Sequence, residues 1–416
     1  MEPLAGITLL VLTGLMVKIV TFQYRWMTIF LWVAFAFRAS LAIINCYVYA
    51  LPDSQADALS FQQFAQEWAR YPTMPPLPED TSYFISWVIA LLYRITGIDT
   101  LAAHALSVMA GTLTVALGSL IAFHLWKDEC LARRAGWWLA MFPTLNLYSA
   151  LTMREAYIWF FFSIALLGVI QWVHRPNLLA LLLIVVGVTA TTLYHGAMVI
   201  VGLAFLGILV FSHTILTLRL LLRNRLNLTA GFVLVVALAG LLYVFTADLS
   251  LPKIGSIYET VSAEMLIASA AYAFSGDASY PQWLLPQAPA DIMLKLPVRV
   301  IYFLFSPFLW DVRSAHHTIG LLDAVLYIYF AWLFWRGRHR ILNNTAAQWV
   351  TVIVATVIVT FALGTGNFGT GIRHRAKVVV PVIALSMGGI VANDSSATRC
   401  RDKLFAHARK IQSHGR

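Results

Sequence analysis

The chain has 416 residues, 60% of them hydrophobic and only 12% charged, with a mean hydropathy of +0.76 and a formal net charge of +10. So apolar a composition excludes a soluble globule, in which charged residues alone approach about a quarter. The basic residues sit in short connections such as Arg133-Arg134 and Arg336 to Arg340, which excludes a nucleic-acid footprint and fits the bias that keeps Lys and Arg on the cytoplasmic side of a membrane.

Apolar runs of helix-spanning length, or slightly shorter, recur from Leu4 to Ala392, and none shows the alternation of an outer-membrane strand. The expected fold is therefore all-α: a polytopic transmembrane helical bundle forming a single membrane domain over 1–392, with about 11–13 transmembrane helices. Residues 393–416 read as a basic cytoplasmic tail. The first apolar run has no basic region before it and no small-residue cleavage site after it, so it is expected to remain as the first span. Cys46, Cys130 and Cys400 are too scattered for a disulfide framework or a metal site and read as inert thiols.

Spans near 4–22 and 27–50 flank a short turn at Gln23 to Trp26, which places the loop 51–80 on the non-cytoplasmic face. On the same face fall Tyr194-His195-Gly196, the polar stretch from Ala247 to about Val298, and the loop from Gly364 to Arg375. The three apolar segments 81–97, 99–125 and 136–152 break this pattern, since an odd number of crossings would put Arg154-Glu155 on the wrong side. Either one of them is re-entrant or interfacial, or Glu155 belongs to a different site.

The first loop carries Asp53 and Asp57. From Asp57 onward, Leu59, Phe61, Phe64, Ala65, Trp68 and Ala69 follow helical spacing, which predicts an amphipathic juxtamembrane helix in this first outer loop. The two carboxylates stand at its N-terminal end, where the macrodipole suits negative charge, so either one can be a simple cap, Asp53 above all. A carboxylate here can also act as general base on a sugar hydroxyl or hold a divalent cation against a phosphate. The late loop answers it with Arg373, His374, Arg375 and Lys377 behind four glycines in eight residues, Gly364, Gly366, Gly369 and Gly371, a composition suited to an anion. Arg373 and Arg375 are expected to clamp a phosphate in bidentate fashion, with Lys377 as a point charge. Tyr194 and His195 either orient a phosphate or hydroxyl or form a hydrogen-bonded pair at a tight turn. Tyr258, Glu259, Tyr272, Tyr280 and Trp283 of the long loop serve as sugar-stacking groups or as interfacial aromatics.

The order of these elements resembles the GT-C superfamily of polytopic glycosyltransferases, specifically bacterial relatives of the family 39 type that use polyprenyl-phosphate-linked donors. The resemblance rests on Asp57, Phe61 and Ala65 in the first loop, Pro75-Pro76-Leu77 through Tyr93 and Gly97, Phe142-Pro143 to Ser149 with Arg154-Glu155, and Asn367, Gly369, Thr370, Arg373, Arg375 and Pro381. It implies an enzyme of the bacterial cytoplasmic (inner) membrane, active on its outer face. A sugar or glycan would leave a polyprenyl phosphate or pyrophosphate for a glycan or lipid acceptor, in cell-surface polysaccharide or glycoconjugate assembly. Asp57 maps to the family's first-loop acid, the base, and Glu155 to its second acidic position, where many relatives carry Lys-Asp instead of Arg-Glu. Ala58 follows Asp57 where relatives often have a second acid, so no cofactor is certain and a divalent cation is left open. The catalytic set expected is Asp57, Glu155 and Asp53; the substrate-binding set is Arg154, Tyr194, His195, Arg373, His374, Arg375 and Lys377. Charge bookkeeping predicts inversion at the anomeric carbon. Two other functions stay in view: a polysaccharide repeat-unit polymerase, and a lipid-linked glycan flippase or transporter, for which Lys18 and Arg38 are the mid-span charges early in the chain.

Overall fold

The computed structural model of the chain describes residues 4–221 apart from 56 and 79–80, scattered positions between 235 and 274, and 278–390 apart from 313–314. The tail 393–416 and Tyr258, Glu259 and Tyr272 lie outside the described residues. Those described are mainly helical, apart from a two-residue antiparallel pair, Ser250–Leu251 with Gly255–Ser256, and an isolated bridge between Ser279 and Asn367.

The helices are α1 (Leu4–Gln23), α2 (Thr28–Tyr47), α3 (Asp57–Arg70), α4 (Phe84–Thr96), α5 (Thr100–Trp126), α6 (Glu129–Met141), α7 (Pro143–Ala150) and α8 (Glu155–His174). They continue with α9 (Leu178–Tyr194), α10 (Met198–Leu221), α11 (Pro289–Phe305), α12 (Ala315–Arg336), α13 (Thr345–Gly364), α14 (Phe368–Arg375) and α15 (Val379–Ser386). Among the described residues six helices, α1, α2, α5, α8, α12 and α13, are long and apolar enough to cross a membrane, and α9 with the first part of α10 are shorter apolar helices. Their outward surfaces are apolar as well: Leu4, Ile7, Val11, Leu15, Ile19 and Phe22 of α1 are all exposed. Hydrocarbon solvates such a surface and water does not.

Close approach does part of the packing. Gly187 of α9 lies so near α8 that a Cβ would meet Ala165 N and Phe161 O at 2.6 Å each, the small-residue contact on which helix pairs in lipid depend. At Gly389 a Cβ would collide with the carbonyl oxygen of Leu333 at the end of α12. Gly389→Ala is expected to lower stability by about 1–3 kcal/mol, an overpacking cost that thermal unfolding in detergent would register.

Hydrogen bonds define two ends of the bundle. At one, Asn344 donates to Leu125 O (2.7 Å), Trp126 to Ala384 O (2.7 Å), and Arg340 to Gly388 O and Ile390 O. At the other, Gly6 N donates to the Asp99 carboxylate (2.7 Å), Tyr148 to Asp53 (2.7 Å) and Gly196 N to Thr81 (3.2 Å). Cys130 belongs to the first end and is disulfide-bonded, which corrects its reading as an inert thiol; Cys46 is free.

The parity conflict around Glu155 is resolved by two of these helices. The segment read as 81–97 forms α4, only 13 residues long, which lies against α3 and is not among the long apolar helices. At a rise of about 1.5 Å per residue it reaches about 20 Å, short of a hydrocarbon core. The segment 136–152 falls within α6 and α7, which are separated by a break at Phe142-Pro143. The chain runs out along α5 and back through α6 and α7, so it returns to the end where it started, and Glu155 joins Arg373 and Asp57 there.

The break at Pro143 is repaired from α2. Proline has no N–H to offer Leu139 O, and the carbonyls ending α6 would be orphaned in the core. Fully buried Arg38 of α2 donates to Leu139 O at 3.1 Å, to Ala140 O at 3.5 Å and to Ala34 O at 3.1 Å. On the α7 side, the buried carboxylate of Asp323 from α12 faces the backbone N–H of Thr144. Arg38 therefore serves the backbone. Arg299 of α11 does the same for the C-terminus of α13, donating to Ala362 O, Leu363 O and Thr365 O. Helix α11 itself begins inside the stretch expected to be a loop as far as Val298.

Candidate functional site

Helix α3 begins at Asp57 and buries Ala58, Phe61, Gln62 and Ala65, so the amphipathic helix expected over the first loop is present, though Leu59 and Phe64 turn outward. Asp53 precedes the helix by four residues in a left-handed conformation (φ 63°). Its carboxylate accepts a hydrogen bond from the Tyr148 hydroxyl at 2.7 Å. Asp53 thus ties the loop to α7 and is not a cap of α3.

The late loop is more ordered than its glycines suggest. The Asn367 side chain caps α14, accepting from Gly369 N (2.7 Å) and Thr370 N (3.4 Å), so those two amides are taken by the protein. Gly366 makes room for the Phe274 ring and Gly371 for the Tyr280 hydroxyl. Tyr280 is buried between Phe274 and Tyr302, with its backbone N–H on Gly366 O, so it packs the loop and has no surface on which to stack a sugar; Trp283 remains exposed.

Because residues 368–375 are helical, Arg373 and Arg375 point to opposite sides, two residues being about 200° apart. Arg375 is fully buried and donates to Leu304 O, Ser306 O and Gly320 O while lying over the Tyr327 ring. It anchors the turn between α11 and α12, and the expected pair of arginines clamping one anion is replaced by a single one. Arg373, His374 and Lys377 share the other face. Arg373 Nη1 meets Asp57 Oδ2 at 2.5 Å, joining the first loop to the late one across 316 residues.

Glu155 completes the cluster. It is buried (2% exposed) at the first position of α8, and its carboxylate acts on Arg373 and Lys377. Burial opposes the charge of Arg373, yet Glu155, Asp57 and Tyr148 together raise its pKa above the ordinary guanidinium value. Burial first, and then Lys377, Arg373 and Arg154, push the His374 imidazole well below its usual pKa. Lys377 Nζ lies 2.8 Å from His374 Nδ1 and over the Phe361 ring. Burial lowers the Lys377 pKa to about 7 against the pull of Glu155, and whenever the lysine is an ammonium it donates to Nδ1 and the neutral ring carries its proton on Nε2. His195, at the end of α9, stands edge-on to both His374 (5.3 Å) and Phe361 (5.1 Å) and belongs to this group. Tyr194 does not: its ring stacks on Tyr157 (5.0 Å) and Phe161 (6.0 Å) inside the helical core.

The structure thus gathers Asp57, Arg154, Glu155, His195, Arg373, His374 and Lys377 at one end of the bundle, with Asp53 and Tyr148 at the margin. Two arginines and a lysine whose pKa burial lowers to about 7 face two carboxylates and a neutral histidine, an arrangement that can hold an anionic oxygen beside a proton acceptor. Among the described residues no group of three or more His, Cys, Asp or Glu side chains could hold a metal ion. Sequence reasoning missed Tyr148, whose only signal is its position one turn past Pro143. It also missed Gln62, His104 and Thr152, which form a buried polar group behind the carboxylates. No protein-family model matches the chain, and no curated protein is significantly similar to it.

Proposed function

We propose that the protein is a membrane glycosyltransferase that moves a sugar or glycan from a polyprenyl-linked phosphate to an acceptor hydroxyl. The observation that carries this is the 2.5 Å contact between Asp57 and Arg373, since it sets a proton acceptor beside a phosphate-binding cation. In the reaction the acceptor oxygen attacks the anomeric carbon while the bond from that carbon to the phosphate oxygen breaks. The hydroxyl proton passes to Asp57, and the charge growing on the phosphate is met by Arg373 and Lys377. Attack opposite the leaving group inverts the anomeric centre. Glu155, buried beside both cations, keeps them on the reacting side.

Orientation follows from charge. Arg25, Lys127, Arg175 and the Arg336 to Arg340 run lie at helix ends and connections, with Arg133 and Arg134 within α6, and this basic bias supports their end as the cytoplasmic one and the site as the outer one. The disulfide at Cys130 pulls the other way, since such bonds persist in oxidising compartments. A bias repeated over four connections outweighs one disulfide. Cysteine introduced at exposed Asn343 is expected to react only with a cytoplasmic reagent, and labelling from outside would reverse the orientation.

The direct test uses membranes carrying matched amounts of protein and a polyprenyl-phosphate-linked sugar. Asp57→Asn and Lys377→Met are expected to lower transfer about 10²–10⁴-fold, and the product of the parent chain should show the opposite anomeric configuration to the donor. Unchanged transfer in both variants would remove the assignment.

A further inference from the structure

Behind the reacting face lies a polar group that the transfer chemistry does not use. Gln62 is on α3 five residues after Asp57, His104 is on α5, and Thr152 is in the short link between α7 and α8, three residues before Glu155. All three are buried, at 8%, 2% and 0% exposure. The Gln62 amide nitrogen lies 2.6 Å from Thr152 Oγ1 and 3.0 Å from His104 Nε2, and His104 Nδ1 lies 2.9 Å from the carbonyl of Ala150, the last residue of α7.

One proton assignment satisfies these three contacts, and leaves Thr152 Oγ1, 3.4 Å from His104 Nδ1, as a second and longer acceptor for the ring hydrogen. A carbonyl can only accept, so His104 Nδ1 carries the hydrogen and Nε2 is a lone pair. That lone pair takes one of the two Gln62 amide hydrogens, and Thr152 Oγ1 takes the other. The neutral imidazole is thereby locked in one tautomer and orientation, with both donors of the amide spent. In a buried setting each of these bonds is worth more than in water, and each broken one leaves an unpaired group.

This group joins the two elements that bring the carboxylates: Gln62 belongs to α3, which starts at Asp57, and the link at 151–154 leads directly into Glu155. We infer that Gln62, His104 and Thr152 form a pin that fixes where Asp57 stands relative to Glu155, making them positioning residues for the transfer. The inference rests on the proposed function. The donor phosphate is met by Arg373 and Lys377, which the pin does not touch directly, so its loss should misplace the base and reach donor binding only through the Asp57–Arg373 pair.

The experiment compares Thr152→Val with Thr152→Ser. Valine keeps the shape and removes the hydroxyl; serine keeps the hydroxyl. In detergent-purified protein with equal unfolding temperatures, Thr152→Val is expected to lower kcat about 100-fold, the cost of a displacement near 1 Å. The donor KM should change by far less than kcat, and Thr152→Ser should restore turnover. Gln62→Leu should give the same split, and the double variant should be no worse than either single one. Full turnover in folded Thr152→Val would overturn the pin. So would a chain that fails to accumulate with valine yet is rescued by serine, because the group would then be needed only for folding. Asp57→Asn assayed alongside separates the two ideas: if that variant is active the functional assignment fails, and if it is inactive while Thr152→Val is fully active only the pin fails.

Discussion

Arg373→Met is expected to lower turnover about 10²–10³-fold, the usual cost of removing one group that meets developing charge. It should also destabilise the fold by about 1–3 kcal/mol. The two effects have different origins. Asp57, at 47% side-chain exposure, gains little stability from the ion pair because water screens it. The stability term comes from Glu155, which is 2% exposed and would lose one of the cations that balance it. Adding Glu155→Gln to Arg373→Met removes the unbalanced charge, so the double variant should regain stability without regaining transfer. Arg373→Lys should fall between, since an ammonium carries the charge but not the planar fork. Steady-state kinetics and thermal unfolding on the same preparations would separate these outcomes, and intact turnover in Arg373→Met would remove it from the mechanism.

Arg38→Met is expected to cost about 2–5 kcal/mol, because the carbonyls of Leu139 and Ala140 each lose a donor in a buried place and each unpaired group costs about 1–3 kcal/mol. The source of that need is Pro143, so Pro143→Ala should recover part of the loss by returning an N–H to Leu139 O. Arg38→Lys should not recover it, since one ammonium cannot span two carbonyls as the guanidinium does. Unfolding in detergent would measure all three. Additive losses from Arg38→Met and Pro143→Ala would show that the arginine is not compensating for the proline.

Much of this architecture is legible in the amino-acid order. The helical class follows from apolar run lengths, the amphipathic helix from the spacing of Phe61 and Ala65, and the link of the first loop to the late one from the opposite charges of Asp57 and Arg373. Arg375 is misjudged from sequence because the glycines suggest an open loop. Once Asn367 caps a helix there, the face of each residue is set by the 3.6-residue repeat, and Arg375 turns away. The count of crossings fails at α4, α6 and α7, where apolar composition alone cannot tell a short helix against a neighbour from a full span, or one broken crossing from two. Gln62, His104 and Thr152 leave no signal, because each is a single polar residue in a different segment and their meeting is a product of packing.

Arg38, Arg299 and Arg375 act alike, each guanidinium giving hydrogens to backbone carbonyls at or near a helix end or turn, as far as 102 residues away. Every one of these irregularities in the backbone is therefore specified twice, once by the proline or chain end that causes it and once by a distant arginine. Among descendants of this sequence, a change that straightens one of these bends should release the arginine that serves it, so that the two positions are lost and gained together. The same coupling keeps those three positive charges out of reach of any anion that approaches the bundle.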